Sequence, residues 1–308
     1  MDQMLAIGVD IGGTRTKSGL INIVTGEVIG SIIQPTEKKD ARLFLEQVGF
    51  VIQEFKQMAS LRGIPIKGIG IGVPGFTNED GIVVTTYGFL EYMENYPLES
   101  LVEKEFLLSC LIDNDARVVS LGEALFGHGK GYKRVLTLTL GTGVGFGLVI
   151  NGKFTDALPL SHMGGNIAIT NEGGKCYCGK MGCLEALVSS NGILNLAHKN
   201  GFSRDVSVQK IFEAAKEGIL KAMEVVEKVI EYLHIAIHNY VNLFAPDMIV
   251  LGGGIAKSLL PYTKKIKGKM YMGPYPGYNF ELAISQLEES AGMLGSAALF
   301  NALHNKIR

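Results

Sequence analysis

Three glycine-rich turns, each following an apolar run, offer the most frequent chemistry in the chain, a backbone cradle for phosphate oxygens. They are Asp10-Ile11-Gly12-Gly13-Thr14, Leu140-Gly141-Thr142-Gly143-Val144-Gly145 and Gly252-Gly253-Gly254-Ile255. Without a Cβ, glycine lets backbone N–H groups come close to an anion. Asp10 adds a carboxylate at a strand end, suited to holding Mg²⁺ through water. Thr14 and Thr142 add hydroxyls. The third turn is expected to open a helix, whose N-terminus would put Gly253 and Gly254 on the adenosine or phosphate side of a ligand. One such turn alone is as readily a tight hairpin, but three together point to a nucleotide.

A second constellation is Asp113-Asn114-Asp115. Phosphoryl transfer needs positioning plus a carboxylate to take a hydroxyl proton, and this run supplies both. The pattern leaves Asp113 and Asp115 open as that base, and an Asp here could equally cap the helix expected from Ala116. The third constellation is Cys176, Cys178 and Cys183, three thiolates in one tight loop with zinc-ligand character. Zinc asks for a fourth ligand, and the alternative is a reduced, metal-free loop. Cys110, alone in an apolar run, reads as core. His234 and His238 share a helix face but lack a third ligand, so packing or an oligomer face is expected. Lys17 reads either as a phosphate contact or as a solvated hairpin lysine.

The elements that must position these groups follow from periodicity. Strands are expected over Leu5 to Asp10, Ser18 to Val24, Gly68 to Val73 and Leu107 to Ile112, and helices over Ala41 to Ala59 and Ala116 to Phe126. A second hairpin, Val135 to Leu140 and Phe146 to Ile150, echoes the first and suggests an internal duplication. A helix over Ala222 to Phe244 and a strand over Met248 to Leu251 follow. The order implies α/β architecture with mixed sheets flanked by helices.

A chain of 308 residues is long enough for two lobes. With 29 basic and 30 acidic residues its formal charge is -1, so no global field favours nucleic acid or an anionic membrane. The longest uncharged run, Val135 to Gly152, is broken by threonines and glycines and reads as hairpin strands, not as a membrane span. The N-terminus has no basic segment before an apolar one, so a cytoplasmic location is expected.

In combination these segments resemble the ROK family (repressors, open reading frames and sugar kinases). The resemblance rests on Asp-Ile-Gly-Gly-Thr at 10–14, Gly-Val-Pro-Gly at 72–75, Asn-Asp-Ala at 114–116, Leu-Gly-Thr-Gly-Val-Gly at 140–145 and Cys-Tyr-Cys-Gly-Lys-Met-Gly-Cys-Leu-Glu at 176–185. Segments 249–255 and 291–297 are also similar. The resemblance implies the two-lobed actin-like, ribonuclease H-like sugar-kinase fold. One lobe would hold 1–113 with about 290–308, and the other 114–289. It implies an ATP-dependent kinase, closing over Mg-ATP and a small sugar of the kind glucokinases and fructokinases use, with Asp115 as catalytic base. Asn114 and Glu185 would contact the sugar and Gly75 line its pocket. Asp10, Gly12, Gly13, Thr14, Gly141, Thr142, Gly143, Gly253 and Gly254 would serve the nucleotide, Cys176, Cys178 and Cys183 would hold zinc, and the protein would be a homodimer.

The chain departs from the family pattern at three places. Met163 and Asn166 stand where the family has a Glu and a His that grip sugar hydroxyls, the His also binding zinc. A methionine cannot do this. His162, the Asn166 oxygen or a water are the substitute zinc ligands. The family's Pro-Asn-Leu segment is replaced around Thr85 to Leu90. Family repressors carry a helix-turn-helix before the first strand, for which Met1 to Met4 leave no room. The alternatives are a catalytically inactive sugar-binding sensor and, more remotely, an actin-like ATPase.

Overall fold

A computed structural model describes residues 3–78, 80–85, 90–154, 159–268 and 277–301, apart from the side chains of residues 85 and 159–162. The first half runs β1 (Leu5–Ile11), β2 (Arg15–Asn22), β3 (Glu27–Pro35), α1 (Ala41–Leu61), β4 (Ile66–Val73), β5 (Phe76–Thr77), β6 (Val83–Thr85), α2 (Leu98–Phe106), β7 (Cys110–Asn114) and α3 (Asp115–Phe126). The second continues β8 (Arg134–Leu140), β9 (Val144–Ile150), β10 (Lys153–Phe154), α4 (Leu184–Val188), α5 (Ser190–Lys199), α6 (Val208–Lys216), α7 (Leu220–Phe244), β11 (Met248–Gly252), α8 (Thr263–Lys267), β12 (Glu281–Ile284) and α9 (Ala291–Ala298).

Strand order is β3-β2-β1-β4-β7 in the first sheet and β10-β9-β8-β11-β12 in the second. Counted from each hairpin, both follow one plan. Strands β4 and β7 add in parallel beyond β1, as β11 and β12 do beyond β8. The duplication suggested by the two hairpins therefore extends to whole sheets, which are the mixed, helix-flanked sheets of the actin-like sugar-kinase fold.

Local chemistry explains the elements. Asp40 caps α1, accepting from Arg42 N and Leu43 N, and α1 turns Phe44, Val48, Val51, Ile52 and Phe55 into the core of the first sheet. Cys110 is buried in that same core, as expected. Three expectations are corrected. The strand predicted from Leu107 begins at Cys110, because Leu107 ends α2 in the left-handed conformation at φ 54°. Strand β3 was not anticipated. Its pattern mixes exposed and partly buried residues, as suits the edge position it holds. The helix expected after Gly254 is a 3₁₀ segment, Ala256–Tyr262, containing Pro261, whose ring removes a donor and favours a short, tight turn.

The chain divides into two compact units, one of Met1–Lys133, Gly147–His162 and Leu287–Arg308, the other of Arg134–Phe146 and Met163–Gln286. Helix α3 thus belongs to the first unit, whereas the sequence placed a boundary after Asp113. The cause is its packing on α9, where glycines bring backbones together. A Cβ on Gly122 would lie 2.3 Å from Ala291 O, and one on Gly295 1.6 Å from Val118 O.

The other side of α9 lies as tightly on the sheet. A Cβ on Gly70 would fall 1.8 Å from Ser296 O, against backbone that cannot swing aside. Gly70→Ala is accordingly expected to destabilise the protein by about 3 kcal/mol, or roughly 6–12 °C in Tm. Thermal unfolding followed by circular dichroism checks this, and an unchanged Tm would contradict it. No helix among the described residues is long and apolar enough to cross a membrane.

Candidate active site

In the first unit the β1–β2 hairpin places Asp10 opposite Lys17. Its turn is tied down by Gly12 N donating to Arg15 O at 3.1 Å and by Thr36 Oγ1 donating to Gly12 O at 2.7 Å. Gly12 is needed for space: a Cβ would sit 2.8 Å from Arg15 O. Thr14 is exposed at the tip. Burial pushes the Asp10 carboxyl up to about 6, and Lys17 only partly offsets this. A carboxylate this poorly compensated, beside an accessible glycine turn, fits a divalent cation. Lys17 also lies 3.9 Å from Glu289, so it is an ion-paired hairpin lysine.

Strands β4 and β7 align Val73 with Asn114. Just beyond β4 the chain turns at Gly75, whose φ of 99° favours glycine. Asn114 Nδ2 donates to Gly75 O at 2.8 Å, while Asn114 Oδ1 caps α3 by accepting from Ala116 N at 2.9 Å and Arg117 N at 3.2 Å. Asp113 and Asp115, indistinguishable by pattern, differ here. Asp113 Oδ1 is engaged by Arg117 Nε at 2.7 Å and by Asn114 N at 2.7 Å. Asp115 accepts from Ala116 N at 2.8 Å, and its pKa rises to about 7 through burial and the neighbouring Asp10 charge, with those hydrogen bonds pulling the other way. A carboxylate with a pKa near neutrality is matched to proton transfer.

In the second unit the turn after β8 is held from both ends of one segment. Ser190 donates from N and Oγ to Gly141 O at 2.7 and 3.0 Å, and Val144 N donates to Glu185 Oε2 at 3.2 Å. Burial raises the Glu185 carboxyl. Gly143 lies beside Glu185, where a Cβ would approach Oε2 to 3.2 Å, and Thr142 is exposed. The turn after β11 packs on the same place: Ile255 N donates to Leu140 O at 3.1 Å. Gly253 combines a φ of 84° with a Cβ position 2.4 Å from Leu140 O, so no other residue fits, and Gly254 is exposed next to it. The two glycine turns of this unit are thereby brought together, and the segment that carries Glu185 is bolted to one of them.

The cysteine loop lies in the same unit. Cys176, Cys178 and Cys183 hold their sulfurs within 4.8 Å of one another, and Cys178 Sγ is 3.5 Å from Cys183 Sγ. Three converging thiols fit Zn²⁺. The fourth side is taken by Asn166, whose Nδ2 donates to Cys176 Sγ at 3.3 Å and whose Oδ1 accepts from Tyr177 OH at 3.2 Å. Cys183 directly precedes α4, so the centre also anchors the segment bearing Glu185. Purified protein is expected to carry about one zinc per chain by metal analysis, lost in Cys176→Ser. Zinc-free protein with chelator-insensitive stability would exclude the metal. The His162 side chain and residues 86–89 lie outside the described residues. His234 Nδ1 meets Ile266 O at 2.9 Å, a packing contact of α7.

Thr36, Ser190, Arg117 and Gly292 were not singled out from the sequence. Thr36 and Ser190 support loops from far along the chain. Gly292 gives α9 its close approach to Asp10, with a Cβ position 2.3 Å from Asp10 Oδ2. None of these long-range contacts leaves a periodic trace. An Arg in the first turn of a capped helix was the one available signal.

The ROK family model matches residues 6–303. A glucokinase of Halalkalibacterium halodurans is 32% identical, the match covering 98% of this chain and 96% of that protein. A xylose repressor of Caldicellulosiruptor bescii is 28% identical over 95% of this chain and 77% of its own length. The crystal structure of a ROK hexokinase from Thermus thermophilus aligns at a TM-score of 0.81 with 25% identity, covering 96% of this chain and 97% of that one.

Proposed function

The chain belongs to the ROK family, and from that premise we propose that it is an ATP-dependent carbohydrate kinase acting on a hydroxyl of a small sugar or sugar derivative. The observation that carries this reading is Asp115: a carboxylate near neutral pKa, next to a fixed Asn114, in the unit that also holds Asp10. As the acceptor oxygen bonds to the γ-phosphorus, the bond to the bridging oxygen breaks, ADP leaves and the hydroxyl proton passes to Asp115. Asn114 and Glu185 orient sugar hydroxyls, with Gly75 at the pocket wall. The turns at Gly12, Gly13 and Thr14 and at Gly141, Thr142 and Gly143 donate to phosphate oxygens, and Gly253 and Gly254 line the adenosine side. Mg²⁺, held through Asp10, neutralises phosphate charge when bound.

The near-neutral charge supports a cytoplasmic protein without nucleic-acid partners, and family similarity supports a homodimer. One observation favours a sugar-binding sensor without turnover. Asn166 spends its amide on Cys176 and Tyr177 and Met163 offers no donor, so two expected hydroxyl contacts are missing. The deciding measurement is ADP release from Mg-ATP across a panel of hexoses and hexose derivatives. Release that depends on one sugar supports the kinase, whereas tight binding of a sugar without release would replace it with the sensor.

A further inference from the structure

Arg117 is 7% exposed, and arginine is seldom buried this far without a specific partner. It also stands in the first turn of α3, where a cation opposes the helix dipole. Its placement therefore needs a cause, and the contacts supply one. Nε donates to Asp113 Oδ1 at 2.7 Å, and the guanidinium carbon lies 4.2 Å from the centroid of the Phe154 ring. That same Asp113 oxygen accepts the backbone N–H of Asn114 at 2.7 Å. Asn114 in turn caps α3 and reaches Gly75 O.

A buried ion pair is weak evidence of stabilisation, because desolvation offsets most of the attraction. What it fixes is geometry. Here the chain of contacts runs from Phe154 through Arg117 and Asp113 to the peptide N–H of Asn114, at the turn from which Asp115 projects. We propose that the Arg117–Asp113 pair is a positioning device that locks the β7–α3 junction and so sets where Asn114 and Asp115 meet the acceptor hydroxyl. The link to turnover rests on the kinase reading; the lock itself does not. Displacing such groups by about an ångström costs on the order of 100-fold in rate, so the lock matters to chemistry more than to folding.

The test uses Arg117→Met, Arg117→Lys, Asp113→Asn and the double Asp113→Asn/Arg117→Met. Two readouts are taken: kcat and KM for Mg-ATP with the sugar identified by the hexose panel, and hydrogen exchange over residues 113–117 in the free protein. Arg117→Met is expected to lower kcat about 30-fold with the KM for ATP within about 2-fold, and to speed exchange over 113–117 while α3 beyond it stays protected. The double variant leaves no charge unpaired, and the amide oxygen it places at position 113 can still accept from Asn114 N, so most of the lost rate returns. Arg117→Lys recovers part of it. Should Arg117→Met fail to fold, Arg117→Lys and the double variant still carry both readouts. Wild-type kcat and exchange in Arg117→Met, with only a lowered Tm, would overturn the proposal. If the wild type transfers phosphate to no sugar, the kinase reading fails and the exchange data alone decide the lock.

Discussion

Asp115→Asn is expected to reduce sugar-dependent ADP release by roughly 10²–10⁴-fold while sugar binding by calorimetry stays within about 3-fold. The amide keeps the size of the carboxylate and can still accept from Ala116 N, so the cap of α3 survives. What it loses is the ability to take a proton. A second consequence separates lost chemistry from lost folding. Burial and the Asp10 charge raise the Asp115 pKa to about 7, which means the ionised carboxylate is disfavoured in the folded state. Removing that charge is therefore expected to stabilise the protein by on the order of 2–4 kcal/mol at about pH 8, read as a higher Tm. A variant that is inactive and more stable identifies a functional carboxylate. Retained turnover would show that Asp115 is not the base.

The parts of this site that could be read from the sequence are those made by neighbours along the chain. Glycine turns after apolar strands, a carboxylate at a strand end and thiols at tight spacing are local features, and the structure holds them where their spacing implied. The choice between Asp113 and Asp115 was not legible. Both flank one asparagine, and they are separated only because Arg117 and the Asn114 amide claim the first of them. Phe154, which supports Arg117, comes from another hairpin. The tight seat of α9 was equally hidden. Gly8, Gly70, Gly122, Gly292 and Gly295 look like ordinary glycines until the backbone that approaches each is known. The turn after β11 was recognised, but its continuation was misjudged because Pro261 acts seven residues beyond the last glycine of Gly252-Gly253-Gly254.

The rate of sugar phosphorylation is expected to fall on the acid side with a midpoint near pH 7, about tenfold per pH unit well below it. The sign follows from the role proposed for Asp115: it must be ionised to accept the hydroxyl proton, and its carboxyl is pushed up to about 7. Asp10, raised to about 6 with Lys17 pulling it down, faces the same charge, so the observed midpoint belongs to the pair. Folding stability is expected to run the other way. Both carboxyls have folded pKa values above the ordinary 3.8, so the penalty of holding them ionised is present above about pH 7 and is relieved as pH falls through 7 and then 6. Between about pH 8 and pH 5 these two groups therefore favour the folded state more as activity disappears. Asp115→Asn should remove its share of that gain, flattening the dependence of Tm on pH. Activity independent of pH from about 5.5 to 8, or the same Tm profile in wild type and variant, would mean that Asp115 carries neither the proton nor the buried charge assigned to it.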